Sequence, residues 1–344
     1  MAFAKGGIIG VDIGSSSVKL VESLEPGKIA RAGYATVPEN TLSNGKLNNP
    51  GALVAAFKDA QKSSGIKRGK CSLTISGPEI ILRNSVLPYM EKDQLYQNVI
   101  ADISTYLPIN TKKYYFDYRI QDMIEEEGNK KVKVMVAAAP RDLVDAYNYC
   151  LASVGLKVTT VDVIENSWEK LVRYLSSKNL TSGDYYGVIS FGHSHTIVSV
   201  YGNGTFFVNK VVEQGGQALL SSLMQNMHVN SLAEARELLK NDIFSEAAGE
   251  PVRNAVTAHF NYLLSEASRV FDFFRYRNDQ AALQALYVCG GYSTIPGLTQ
   301  AVENMVHIPV HLFSDLVRLM FTKNAELLTQ ADFSGAIGAT FRGE

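Results

Sequence analysis

Apolar and polar residues alternate along this chain with two different periods, and the switches between them outline its elements. A period near two, rich in β-branched residues, predicts strands over 7–21 and 29–37, the first folded back at a polar turn. Asn48-Asn49-Pro50 then opens a helix carrying Leu53, Val54, Phe57 and Ala60 on one face. Cys71 to Ser76 predicts a short strand ended by Gly77-Pro78. Ile81 to Leu87 predicts another strand, and Glu91 to Tyr106 a helix striped by Leu95, Val99, Ile103 and Tyr106. Tyr114 to Met123 and Lys131 to Ala139 form a hairpin with Glu125-Glu126-Glu127 at its solvated tip, and Arg141 to Val154 is a helix closing the unit. Val158 to Ile164 returns to strand, and Asn166 to Leu175 is a helix with Trp168, Leu171, Val172 and Leu175 inward.

Polar Thr181-Ser182-Gly183 marks a domain boundary. Beyond it the pattern predicts a hairpin over 187–200, a strand over 204–212, and a helix Gln217 to Met227 introduced by Gly215-Gly216. A long helix, His259 to Tyr276, places Phe260, Leu263, Leu264, Ala267, Phe271 and Phe274 at core spacing. Strand Ala285 to Cys289, a helix near Gly297 to Met305 and a close-packing segment at 335–339 complete the reading. The two hairpins repeat at an offset of 178 residues, setting Gly14 on Gly192, Val11 on Ile189, Ile13 on Phe191 and Asp12 on Ser190. Each glycine is expected to take a backbone shape that other residues resist. Turns of small residues leave backbone N–H groups free for phosphate oxygens, so two facing turns would clamp a polyphosphate. Ordinary hairpins in a duplicated α/β protein are the alternative; Asp12 and Lys19 beside the first turn favour the clamp.

At 344 residues the chain has room for two domains. A net charge of −1 supplies no general attraction to nucleic acid or anionic lipid. Cys71, Cys150 and Cys289 stand alone in apolar company, the pattern of reduced structural thiols in a cytosolic compartment. No run is long enough to span a bilayer, the N-terminus lacks a signal-peptide core, and no amphipathic extension follows Arg342-Gly343-Glu344. Membrane association is therefore expected only through a partner.

Three motifs in order resemble the actin, sugar-kinase and chaperone ATPase superfamily. They are Asp12-Ile13-Gly14-Ser15-Ser16-Ser17-Val18-Lys19, then Gly192-His193-Ser194-His195-Thr196, then Cys289-Gly290-Gly291-Tyr292-Ser293 with Ile295-Pro296-Gly297-Leu298. The inserted unit narrows the field to the bacterial branch that includes FtsA. Gly45-Lys46-Leu47, Gly215-Gly216 with 232–240, and 266–274 are similar to the PilM family of type IV pilus assembly proteins, over essentially the whole chain. The resemblance implies an α/β, actin-like (RNase H-like, duplicated) two-domain fold. Its first domain would comprise 1–80, 158–182 and 332–344. The insert, 81–157, would be like the SHS2 or FtsA 1C subdomain, and the second domain would run 183–331 with a helical and strand subdomain about 217–280.

The resemblance also assigns roles. Asp12 would hold Mg²⁺ through water; Gly14, Ser15, Ser16, Ser17 and Lys19 would meet the phosphates of ATP or ADP. Gly192, His193, Ser194, His195 and Thr196 would form the second loop, the histidines donating to an anion rather than binding metal. Gly215, Gly216, Gly290, Gly291, Tyr292 and Ser293, with Glu266 and Arg269, would approach the nucleoside. Glu165 lies where relatives carry a water-orienting acid. Ser190 replaces the second loop's usual acid, so binding is expected with slow or absent hydrolysis. The implied partner is the N-terminal tail of a PilN-like inner-membrane protein, docked between the first domain and its insert. Other pilus assembly proteins and a homo-oligomer are further expectations; the place is cytoplasmic, at the inner face of the membrane. FtsA-like tethering, a nucleotide-free secretion scaffold and a small-molecule kinase are the alternatives.

Overall fold

The computed structural model describes residues 7–341, apart from 44–45, 107–109, 182, 228, 230, 242, 324 and 330–331, and apart from the side chains at 106, 227 and 247. Gly45, Ser182, the Tyr106 side chain and 342–344, all used above, lie outside the described residues. The first half runs β1 (Ile8–Ile13), β2 (Ser17–Glu25), β3 (Lys28–Thr36), β4 (Leu42–Ser43), β5 (Lys46–Leu47), α1 (Pro50–Ser64) and β6 (Gly69–Ile75). Next come β7 (Ile81–Pro88), α2 (Lys92–Tyr106), β8 (Tyr114–Glu126), β9 (Asn129–Pro140), α3 (Arg141–Ser153), β10 (Leu156–Val163) and α4 (Ile164–Ser177). The second half runs β11 (Tyr185–Phe191), β12 (Thr196–Gly202), β13 (Thr205–Val212), α5 (Gly216–Met227), α6 (Leu232–Leu238) and α7 (Glu250–Arg277). It ends with β14 (Ala285–Cys289), α8 (Leu298–Val306), β15 (Val310–Leu312), α9 (Phe313–Val317) and α10 (Ser334–Thr340).

Two five-stranded sheets share one plan. The first has the order β10-β6-β1-β2-β3 and the second β15-β14-β11-β12-β13; in each, three antiparallel strands continue into two parallel ones. Registers agree as well. Asp12 pairs with Lys19 and Ile13 with Val18 in the first sheet; Ser190 pairs with Ile197 and Phe191 with Thr196 in the second, the same 178-residue offset. A duplicated, actin-like fold follows from that agreement. Each sheet has its own core, with Leu53 and Phe57 of α1 under the first and Phe260, Leu263 and Phe274 of α7 under the second. A third cluster lies between them, where Trp168 of α4 and Ala336 and Ile337 of α10 meet Val188 and Tyr287. The Asn49 side chain accepts the N–H of Ala52, and Pro50 occupies the first turn, so α1 starts where the sequence predicts.

The insert's sheet, β7-β9-β8, packs Val132, Val134, Val136 and Ala138 of β9 against Leu95, Val99 and Ile103 of α2. Removing each of these valine, leucine and isoleucine side chains from water stabilises by about 1.5–3 kcal/mol, enough for a small core of its own. Helix α3, expected to close this unit, buries Leu143, Tyr147 and Leu151 instead in the first sheet's core beside Leu53 and Phe57. All three cysteines are buried and free, and burial pushes the Cys71 thiol up to about 12. Among the described residues no helix is long and apolar enough to cross a membrane.

Candidate functional site

The two hairpin turns face each other across a cleft between the halves. Ser15 Oγ donates to Ser194 Oγ at 3.0 Å, joining the first turn to the second. Within the first turn the Gly14 N–H donates to the Ser17 carbonyl at 2.9 Å. No described protein acceptor takes the N–H groups of Ser15, Ser16, His193 or Ser194. Convergent free N–H groups of this kind suit an anion with several oxygens. Neither Gly14 nor Gly192 has a positive φ, contrary to expectation. Their lack of a side chain matters through space: a Cβ on Gly192 would lie 2.6 Å from the His195 carbonyl oxygen.

Asp12 and Lys19, cross-strand partners, form an ion pair of 3.2 Å at the cleft floor, both nearly buried. Beyond them opens a cavity of about 760 Å³, lined by the serine turn, Lys19, His193, Arg236, Tyr292 and Asp332 among others. A narrower recess beneath it brings together Asp12, Gly14, Ser15, Ser16, Ser17, Lys19, Ser190, Gly192, His193, His195, Gly290 and Gly291. Depth in the protein lowers the basicity of His193 and takes that of His195 down to about 4, so both rings are neutral near pH 7 and offer N–H donors without charge. His193 Nδ1 lies 3.2 Å from the Tyr292 hydroxyl, and the two rings stack.

Other expected residues support the cleft from behind. Thr196 Oγ1 donates to the Gln214 carbonyl, and the N–H groups of Gly216 and Gln217 donate to the carbonyls of Gly192 and His193, fixing the second turn against α5. Gly215 backs the same two carbonyls. Gly216 lies flat under the Tyr292 ring, where a Cβ would come within 1.9 Å. Ser293 Oγ donates to the Gly290 carbonyl at 2.7 Å, holding the turn that carries Gly290 and Gly291. Glu266 and Arg269 do not line the cleft cavities; on α7, Glu266 pairs with Lys210 and Arg269, and the Lys210 hydrogen bond holds its carboxyl below the usual range. Glu165 also turns away from the cleft lining. Its Oε1 accepts from Asn209 Nδ2 at 2.8 Å, and burial pushes its pKa up to about 7.

Four residues of the site carry no signal in the sequence. Asp332 projects to the cleft and accepts from the N–H groups of Gly290 and Ser334 at 2.9 Å; its depth pushes the carboxyl up, against those bonds and Lys19. Arg236 and Glu39 approach to 4.0 Å across the cleft mouth. Glu79 borders a small pocket of about 120 Å³ on the far side of the turns with Lys46, Tyr147, His195 and Glu213. Among the described residues there is no cluster of three or more metal-ligating side chains. A hydrated Mg²⁺ asks less, since one or two carboxylates and the ligand's own phosphates suffice, and Asp12 with Asp332 offers that.

A second depression, of about 420 Å³, lies between the insert and the first sheet. Tyr115 and Asp117 of β8, Ala139 of β9 and Asp145 of α3 face Thr160 and Asp162 of β10, the outer strand of its sheet. A bulge after Val158 interrupts β10 at this point.

Two like sheets enclosing a cleft with paired glycine-serine turns place the molecule among the actin-like ATPase folds. The chain belongs to the family of type IV pilus assembly proteins PilM, whose model matches residues 10–340. Its fold is similar to that in a PilM-PilN type IV pilus biogenesis complex (TM-score 0.84, 20% identity, 98% of each chain covered). It is similar also to the ethanolamine utilization protein EutJ from Carboxydothermus hydrogenoformans (0.58, 12%, 98% of this chain and 90% of that one). MreB 5 of Spiroplasma citri, solved bound to AMPPNP, is a further match (0.54, 10%, 92% and 94%). Family membership sets aside the FtsA-like and small-molecule-kinase alternatives and makes the chain a component of type IV pilus assembly.

Proposed function

We propose that this chain binds ATP or ADP with Mg²⁺ in the cleft and uses the bound state to present a docking surface, with slow or absent hydrolysis. One observation carries the reading: two turns from the two halves meet at Ser15 and Ser194 with their free N–H groups beside a cavity of about 760 Å³. The turns and Lys19 would hold the phosphates, Asp12 with Asp332 the hydrated metal, and Gly291, Tyr292 and Ile295 the nucleoside. Bound Mg²⁺ would neutralise phosphate charge. Ser190 offers no charge to place a water, and Glu165 is bonded to Asn209 away from the recess, so this chain's own residues supply little toward hydrolysis.

The docking surface is the groove between the insert and β10. Its ligand is the cytoplasmic N-terminal tail of a PilN-like membrane protein, ordered on binding. Asp117 and Asp145 favour a tail with a cationic residue, and an outer strand offers main-chain pairing. The chain would then reach the inner face of the membrane through that tail. A nucleotide-free scaffold is the second reading, favoured by the Asp12–Lys19 pair, in which each charge already has its partner. Mass spectrometry of protein purified without added nucleotide, followed by calorimetry with ATP and Mg²⁺, separates the two. Retained or titratable nucleotide, weakened in Asp12→Ala, supports the first; its absence selects the scaffold. Joint Asp117→Lys and Asp145→Lys should weaken capture of a synthetic tail peptide at least about tenfold, or about 1.4 kcal/mol, and leave nucleotide affinity alone. Unchanged capture would move the partner elsewhere.

A further inference from the structure

One buried carboxylate holds the insert, the first half and the second half together. Glu169 of α4 is fully enclosed. Its Oε2 accepts from Arg119 Nη2 of β8 at 2.6 Å and from the Phe206 N–H of β13 at 3.0 Å; its Oε1 accepts from Arg173 Nη2 at 2.6 Å. Two more insert side chains reach the same stretch of β13. Asn84 of β7 donates to the carbonyls of Phe206 and Phe207 at 3.1 and 2.8 Å, and Gln121 of β8 donates to that of Phe206 at 2.8 Å. Both outer strands of the insert's sheet are thus pinned to the second half at Phe206 and Phe207.

The two sides of the groove are held differently: β8 is bonded to both halves, and β10 to the first alone. Asp117, one wall, lies on β8 two residues before Arg119, on the same face of the strand. The opposite wall, β10, is paired to β6 and so moves with the first half. Arg119 Nη1 also donates to Asn166 Oδ1 of α4 at 2.7 Å, so β8 stands between the halves, and a change in their angle pulls β7 and β8 through Phe206 and Phe207 against that anchor and shifts them relative to β10. Charge-assisted and directional hydrogen bonds transmit that displacement, where a purely apolar contact could slip.

We propose that Glu169 and the Phe206–Phe207 stretch couple the cleft to the groove, so that nucleotide state sets how tightly a tail peptide is held. This rests on the assignments of cleft and groove made above. Glu169 is a positioning residue that touches neither ligand. The coupling is reciprocal: the peptide must change nucleotide affinity by the same factor that nucleotide changes peptide affinity.

The test is a closed binding cycle measured by calorimetry on the full chain, with a synthetic PilN-type tail peptide and a non-hydrolysable ATP analogue with Mg²⁺. In the natural sequence the peptide dissociation constant should differ at least about fivefold between nucleotide-free and nucleotide-loaded protein. The double variant Asn84→Ala, Gln121→Ala, which alters groups at the insert's surface, and the near-isosteric Glu169→Gln should each bind either ligand alone within about threefold of the natural chain. Their ratio should fall toward one. A ratio of one in the natural chain with both ligands bound overturns the coupling alone. So does an undiminished ratio in variants whose circular dichroism melts show them folded. If Glu169→Gln does not fold, the double variant decides. Failure of the natural chain to bind either ligand overturns the site assignments together with the coupling.

Discussion

Two adjacent glycines should respond in opposite ways to the same kind of substitution. Gly290 has φ near 89°, and a Cβ there would lie 2.5 Å from the Phe191 carbonyl oxygen, the acceptor of the Tyr292 N–H. Left-handed backbone costs a side-chain-bearing residue about 1–2 kcal/mol. Overpacking against main chain adds about 1–3 kcal/mol, so Gly290→Ala should cost about 2–5 kcal/mol. At about 2–4 °C per kcal/mol, the melting temperature should fall on the order of 10 °C. Gly291 is different: its φ is not positive and a Cβ would meet nothing within 4 Å, because the position opens on the cleft cavity. Gly291→Leu should therefore leave stability within about 0.5 kcal/mol, as for other exposed positions. It should nevertheless lower nucleotide affinity at least about tenfold, about 1.4 kcal/mol, by filling the space the nucleoside needs. Scanning fluorimetry with and without ATP and Mg²⁺, followed by calorimetry, reads both effects. An unshifted melt for Gly290→Ala would refute the strain argument, and full nucleotide affinity in Gly291→Leu would refute the placement of the ligand.

Glu165 predicts a pH dependence whose sign is opposite to that of a salt-bridged acid. Burial raises its pKa from 4.5 to about 7, so between those values the unfolded chain ionises while the folded one keeps its proton. Stability falls as pH rises through that window, by about 3 kcal/mol from this group, and is flat above it. Urea midpoints of Glu165→Gln should lack that part of the slope; an identical slope in the variant would refute it. Ser190→Asp restores an acid at the position corresponding to Asp12 and should raise the rate of phosphate release from ATP. An equal or lower rate in a folded variant that still binds ATP would exclude Ser190 as the limiting feature.

The loops were readable because their chemistry is contiguous: a strand, a run of small residues and a strand spell out a turn wherever they occur. Strand β14 has the limits that the sequence predicts for it. Helix α7 begins at Glu250, nine residues before the predicted His259, because Pro251 sits harmlessly in its first turn while polar Arg253 and Asn254 mask buried Val252, Ala255 and Val256. Strand β15 and helix α9, of three and five residues, are too short for either period to register. What the sequence hid in the site was always assembled by tertiary structure. Asp332 reaches the cleft from beyond the second sheet's last strand, and Glu39 and Arg236 meet from opposite halves. Glu169, with Arg173 four residues on, looks like one more charged pair on an amphipathic helix until Arg119 and the Phe206 N–H are brought to it. Glycines 14 and 192 show the complementary error: their importance was legible, but the reason was crowding rather than φ.

Helices α4 and α10 cross on the first sheet, beside the second half, almost backbone to backbone. A Cβ on Gly338 would lie 2.2 Å from the Ser167 carbonyl oxygen, and one on Gly10 of β1 would lie 1.9 Å from that of Ala336. Most helix pairs mesh side chains as ridges into grooves, so sliding one past the other means lifting each ridge over its neighbour. Here the α10 face against α4 and β1 presents Gly335, Ala336 and Gly338, with the short side chains of Ser334 and Thr340 at its ends, and has almost no ridges. The crossing therefore works as a fixed seat: with no side chains to compress beneath it, and with Trp168 Nε1 donating to Ser334 Oγ at 3.1 Å, α10 is held on the first sheet at a set height, and Val188 and Tyr287 of the second half close on a rigid surface.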